Sequence, residues 1–217
     1  DPGFVYGILQ ARTVGRVVLR LAGADVLPFT FGGFAETVGK YLDELVKLTD
    51  ELRRSTDELN RNVRENTLSI AADAREAFVP PAPKEPVPFL NFAPLQNAVV
   101  RLKQSASSHE QALVDARAAG RLLNAEQMQA LDRILMHAEQ ALTRKDGLPR
   151  RPWYVHQIYA PGWYTGYGVK TLPAVREAIE QRHFDEAEAQ IPLVAATLDA
   201  YAAQIDSATK IVQGASP

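Results

Sequence analysis

Apolar residues return at alternating three- and four-residue steps in four stretches of the chain. The first runs Val38, Tyr41, Leu45, Leu48, Leu52, then Ser55 and Leu59. The second is Leu95, Val99, Leu102, Ala106, His109, Leu113 and Ala116. The third is Met128, Leu131, Leu135, Ala138 and Leu142, and the fourth Ile191, Val194, Leu198, Tyr201, Ile205, Ala208 and Val212. Such a step is the contact line of helices packed about 20° from parallel. Four of them predict an all-α fold, a four-helix bundle. Upstream, residues 4–24 read as one more helix, apolar on most sides (Phe4, Ile8, Val14, Val17, Val18, Leu21). A helix apolar nearly all round needs burial against something large. Leu27-Pro28 and Gly32-Gly33 are expected to end it.

Local signals agree with this plan. Pro94 suits a first helical turn, where a missing N–H costs nothing. Asn124 with Gln127, and Asp185 with Glu188, have the spacing of capping boxes. Pro192 is expected to kink the last helix or delay its start. Residues 60–67 are too polar to continue a contact line, and 68–77 allow another helical piece. Residues 79–88 hold five prolines and read as an extended polyproline-like connector, with its boundary at about 79–94. A second long break, 146–173, carries Trp153, Tyr154, Tyr159, Trp163, Tyr164 and Tyr167 among Gly162, Gly166 and Gly168. It is expected to be a long aromatic, glycine-rich loop before the last helices. Loops of that length in a small domain are often functional.

Composition narrows the functional classes. Of 217 residues, 46% are hydrophobic, enough to fill one sizeable core. With 24 basic and 26 acidic residues the net charge is −2, which argues against a nucleic-acid binder driven by a basic surface. The chain has no cysteine, so disulfide scaffolds, thiolate metal sites and cysteine nucleophiles are excluded. No apolar run approaches the roughly 18 residues of a spanning helix.

No self-sufficient active site is visible. His109, His137, His156 and His183 have no partner at metal-ligand spacing. His109 falls on a contact line and reads as a hydrogen-bonded core histidine; His137 and His183 read as solvent-facing. His156, in the aromatic loop, either touches a ligand or braces the loop. Ser105, Ser107 and Ser108 point in different directions from one helix, and no Gly-x-Ser-x-Gly turn exists. Acidic residues such as Asp43, Glu44, Asp50 and Glu51 alternate with Lys47, Arg53 and Arg54 as on a solvated face. The aromatic loop remains, as a ligand surface or as a well-packed structural loop.

The block Gly147-Leu148-Pro149-x-Arg151-Pro152-Trp153-Tyr154-x-His156-x-Ile158-Tyr159-Ala160-Pro161 resembles the transferrin receptor-like dimerisation domain. This is the C-terminal helical domain of glutamate carboxypeptidase II-like zinc peptidases. Asp1-Pro2-x-Phe4, Val26-Leu27-Pro28-Phe29 and Glu188-Ala189-Gln190-Ile191 look like further parts of it. The resemblance implies that residues 1–27 are the terminal helix of a preceding peptidase domain and 28–217 the helical dimerisation domain. The chain is then a fragment, not an enzyme alone, with no cofactor of its own and zinc in the peptidase domain. Its partners would be a second copy, the preceding domain and, in the full-length protein, a peptide substrate. Nucleic acid is not expected. Family membership suggests an extracytoplasmic parent.

The resemblance also implies that the loop reaches the substrate pocket. The implied substrate-binding residues are Tyr167, Gly166, Tyr164, Trp163 and Lys170. A Lys-Tyr pair that recognises a C-terminal glutamate in the family falls at Gly166-Tyr167, so the lysine is replaced here, and Lys170 is a possible substitute. Val46, Val100, Leu123 and Leu193, off the contact lines, are candidates for a dimer surface. The alternatives are a non-catalytic transferrin receptor-like binding module and a stand-alone four-helix scaffold.

Overall fold

The fold is organised around its last helix. In a computed structural model that describes residues 1–24, 26–73, 75 and 77–214, the helices are α1 (Val5–Ala22), α2 (Gly32–Arg64), α3 (Thr67–Ala71), α4 (Ala93–Ala118), α5 (Ala125–His137), α6 (Pro173–Glu180) and α7 (Phe184–Val212). The chain is mostly helical. Among the described residues the one sheet is an antiparallel pair, β1 (Tyr159–Gly162) and β2 (Gly166–Thr171). α4 makes the most extensive contact with α7; α2 lies against α4, and α5 and α6 against α7.

All seven positions of the fourth predicted line, Ile191 to Val212, are buried along α7. On α4 the line is buried from Leu95 to His109, and on the third segment from Leu131 to Leu142. The α2 line is shifted. Its buried row is Ala35, Val38, Leu42, Leu45, Thr49 and Thr56, whereas Tyr41, Leu48 and Leu52 are half-buried and Ser55 is exposed. Thr49 hides its polarity by donating its hydroxyl to Leu45 O at 2.9 Å. Thr56 Oγ1 accepts from Arg182 Nη1 at 3.1 Å.

Punctuation was less faithful than periodicity. Gly32 and Gly33 do not end α1; they begin α2. The carboxylate of Glu110, on α4, accepts from Gly32 N at 3.0 Å, and a Cβ at Gly32 would sit 2.8 Å from it. Glycine thus admits an anion to the positive end of α2. The polar stretch past Asn60 stays helical to Arg64, with no buried residue after Thr56. Asn124 and Gln127 form the expected reciprocal cap, at 2.9 and 3.1 Å. Asp185 and Glu188 do not: α7 starts two residues earlier, after His183, without a side-chain cap. Pro192 lies inside α7 without ending it.

The proline-rich connector is extended and held from both sides. Asn60 exchanges two hydrogen bonds with the Lys84 backbone, each 2.8 Å. Arg53 donates to Val87 O and Pro88 O, Arg182 donates to Glu85 O, and Val87 and Leu90 enter the core. α1 stands apart. None of its residues is buried, and Val14, Val17, Val18 and Leu19 are more than half exposed. Beneath its last turn an apolar cavity of about 780 Å³ opens between Val18, Leu21, Phe29, Phe31, Met136 and Tyr201. Of the off-line apolar residues, Val46 and Leu123 pack against the core, Leu193 is half-buried and Val100 is 52% exposed.

Candidate functional site

The aromatic break is a hairpin on a braced stem. After α5 a 3-10 turn, Ala138–Leu142, leads into a segment tied by isolated bridges between Thr143 and His156 and between Leu148 and Arg151. The backbone doubles back at Gly147, with φ +64°; a Cβ there would lie 2.2 Å from Pro152 O. Only glycine allows that approach. Tyr159 then pairs with Thr171, Ala160 with Lys170 and Pro161 with Val169, before the register shifts at Gly162. The Thr165 hydroxyl donates to Gly168 O at 3.3 Å across the tip.

Strand alternation divides the hairpin's side chains. Ala160 is buried, and Lys170, its register partner, reaches back to α6, where both Glu180 oxygens lie 2.8 Å from Nζ. Tyr159, Pro161, Tyr167 and Val169 point outward. The Tyr159 hydroxyl donates to Glu139 Oε1 at 2.8 Å, a bond that raises the tyrosine's pKa.

A buried ion pair fixes this hairpin to the helical body. Arg151 Nη2 donates to Glu177 Oε2 at 2.8 Å, with both side chains about 95% buried. The other oxygen of Glu177 accepts from the backbone N of Trp163 at 2.8 Å, and Arg151 Nη1 donates to Pro161 O. One carboxylate on α6 and one guanidinium on the stem thereby hold the end of β1 and the first tip residue. Arg150 adds a two-point contact to Glu186 on α7, at 2.7 and 2.9 Å.

Trp163, Tyr164, Gly166 and Tyr167 come together at the tip. Tyr164 is largely exposed and Tyr167 fully so, whereas Trp163 is 41% exposed and meets Tyr164 edge-on. Gly166 has φ +60° and open space where a Cβ would be. Lys170 is turned to the other face and engaged with Glu180. His156 braces the stem: its Nδ1 accepts from Ile158 N at 3.3 Å, and its ring lies 4.1 Å from that of Tyr159. Burial lowers its pKa against the opposing pull of Glu139. His109 is a hydrogen-bonded core histidine, 3.1 Å from the Thr209 hydroxyl, and burial lowers its pKa too. His137 and His183 are exposed.

Sequence reasoning missed Glu139, Glu177 and Glu180. Arg151 stood inside the recognised block, but nothing in its spacing named a partner 26 residues on. Among the described residues no group of three or more His, Cys, Asp or Glu converges to hold a metal ion. No described helix is long and apolar enough to cross a membrane.

The family model of the transferrin receptor-like dimerisation domain matches residues 90–206, from just before α4 into α7. The chain is 27% identical over 180 residues to the probable glutamate carboxypeptidase LAMP1 of Arabidopsis thaliana, covering 83% of this chain and 20% of the relative. It is 25% identical over 180 residues, with the same coverage, to a probable glutamate carboxypeptidase of Arthroderma benhamiae. The chain thus spans about a fifth of the length of these curated relatives.

Proposed function

The chain belongs to the transferrin receptor-like dimerisation domain family, and on that premise we propose that it is the helical dimerisation domain of a glutamate carboxypeptidase-like zinc metallopeptidase. In this reading α2, α4, α5 and α7 form a four-helix bundle that pairs subunits, and the hairpin walls one side of the substrate pocket. The domain positions substrate and does not hydrolyse it alone, since hydrolysis at neutral pH needs an activated water and a base. Zinc would belong to the peptidase domain, as the family resemblance implies.

The observation that carries the proposal is the family match across residues 90–206, the segment containing the hairpin and its Arg151–Glu177 anchor. The hairpin supports the pocket-wall part. It groups the exposed Tyr164 and Tyr167 with the partly exposed Tyr159 and Trp163 on a rigid mount, the kind of aromatic patch that marks an interaction site. α1 supports the domain division, in which residues 1–27 are the last helix of the peptidase domain. Its apolar surface and the cavity beneath it are what a neighbouring domain would cover. Light scattering of the full-length protein at tens of micromolar tests the pairing. A dimer is expected; a monomer at concentrations where an interface of ordinary size holds would retire it.

A further inference from the structure

Every lysine and arginine between residues 147 and 180 is already engaged with a carboxylate. Arg150 meets Glu186, Arg151 meets Glu177, Lys170 meets Glu180 and Arg176 meets Glu44. These cations are not idle charges awaiting a ligand. Arg151 is buried with its partner, and Lys170 lies on the face turned away from Tyr167 and Val169. Recruiting Lys170 would strand Glu180, whose two oxygens it holds at 2.8 Å.

The outward face carries no charge of its own. Tyr159, Pro161, Tyr167 and Val169 share it through strand alternation, and Trp163 and Tyr164 extend it at the tip. The charge that touches it is negative: Glu139 accepts the Tyr159 hydroxyl at 2.8 Å, with a side chain 69% exposed. A carboxylate side chain brought to this face would meet the Glu139 anion and neutral tyrosine hydroxyls, while the four cations of residues 147–180 stay engaged with their own carboxylates, so its charge would go uncompensated. An apolar side chain would cover aromatic surface and lose nothing.

We infer that the hairpin face selects a bulky uncharged side chain, aromatic or branched aliphatic, in the peptide substrate, and disfavours an acidic one. The inference rests on the pocket-wall reading of the hairpin. It assigns Tyr167 and Val169 the role of contacting that side chain, with Glu139 as the repelling group.

The test is calorimetric binding of three hydrolysis-resistant dipeptide analogues to the full-length protein. They are identical except for a C-terminal Phe, Leu or Glu, and each is titrated into wild type and Tyr167→Ala. Tyr167 is fully exposed, so the variant folds as wild type does. The Phe and Leu analogues should bind at least about tenfold more tightly than the Glu analogue, and Tyr167→Ala should remove most of that difference. A Glu analogue that binds as tightly as Phe, and weakens on Tyr167→Ala, would overturn the selectivity while leaving the hairpin in the pocket. Affinities that ignore Tyr167→Ala for all three ligands, or no binding by any, would remove the pocket wall and the selectivity with it.

Discussion

Arg151 and Glu177 meet at 2.8 Å with almost no solvent on either side chain, and each also holds backbone of the hairpin. Removing one partner of such a pair leaves a buried charge, at a cost of about 3–5 kcal/mol. Glu177→Gln should therefore destabilise the chain by about that amount, although its amide oxygen can still accept from Trp163 N. Arg151→Met should do likewise by stranding Glu177. The double variant should lose much less than the sum, because neither charge is then left alone. Urea denaturation of the four proteins gives the coupling, and additive losses would show that the pair does not act as a unit.

His109 predicts an acid limb in stability. Thr209 donates its hydroxyl to Ile205 O at 2.8 Å, so at 3.1 Å His109 Nδ1 is the donor to that oxygen and Nε2 is unprotonated. The ring lies edge-on to Phe31 in the core, and burial lowers its pKa below the ordinary value near 6.5. The unfolded chain thus binds a proton that the folded chain resists. Stability contributed by neutral His109 is full above about pH 6.5 and is lost as pH falls through the lowered folded value. His109→Gln should flatten this limb. His156 shifts in the same direction, so some slope should survive in the variant. An unchanged slope would mean that His109 is not its source.

Periodicity made the helices legible because burial acts on every turn. The α7 line was read in full, since each of its residues faces packed helices. The α2 line slipped by one row because Thr49 and Thr56 look polar, yet satisfy their hydroxyls locally or through Arg182. Gly32-Gly33 was misread because the deciding group, Glu110, is 78 residues away. The tip residues of the site were legible as a cluster of aromatic and glycine residues. The hairpin beneath them was not, because its strands are four and six residues long and contain Pro161 and three glycines, Gly162, Gly166 and Gly168. Its anchor depends on which faces of α6 carry Glu177 and Glu180, a tertiary fact.

Two glycines with the same backbone hand should respond very differently to a methyl group. Gly147 and Gly166 have φ +64° and +60°. At Gly166 the added Cβ meets open space, so Gly166→Ala should cost only the left-handed penalty of about 1 kcal/mol. At Gly147 the Cβ would lie 2.2 Å from a backbone carbonyl, which cannot swing aside. Gly147→Ala should lose more than about 3 kcal/mol and loosen the stem. Thermal unfolding of both variants checks the contrast, and equal losses would refute the placement of Pro152 against Gly147.

Tyr167 carries the remaining prediction, made for the full-length protein. Its ring and hydroxyl are wholly in solvent in this domain, so any energetic role must come from a bound partner. If the hairpin walls the pocket, the hydroxyl can donate to the substrate's C-terminal carboxylate while the ring covers its side chain. A hydrogen bond to a charged group is worth about 1.5–3 kcal/mol. Tyr167→Phe should then lower kcat/KM roughly tenfold to a hundredfold at unchanged stability, since no intramolecular bond is lost. Gly166→Lys, at the cost of the left-handed backbone just described, adds a cation beside that hydroxyl and should shift preference toward acidic substrates. Kinetics that ignore Tyr167→Phe, together with a silent Gly166→Lys, would mean that the aromatic tip meets protein and not substrate.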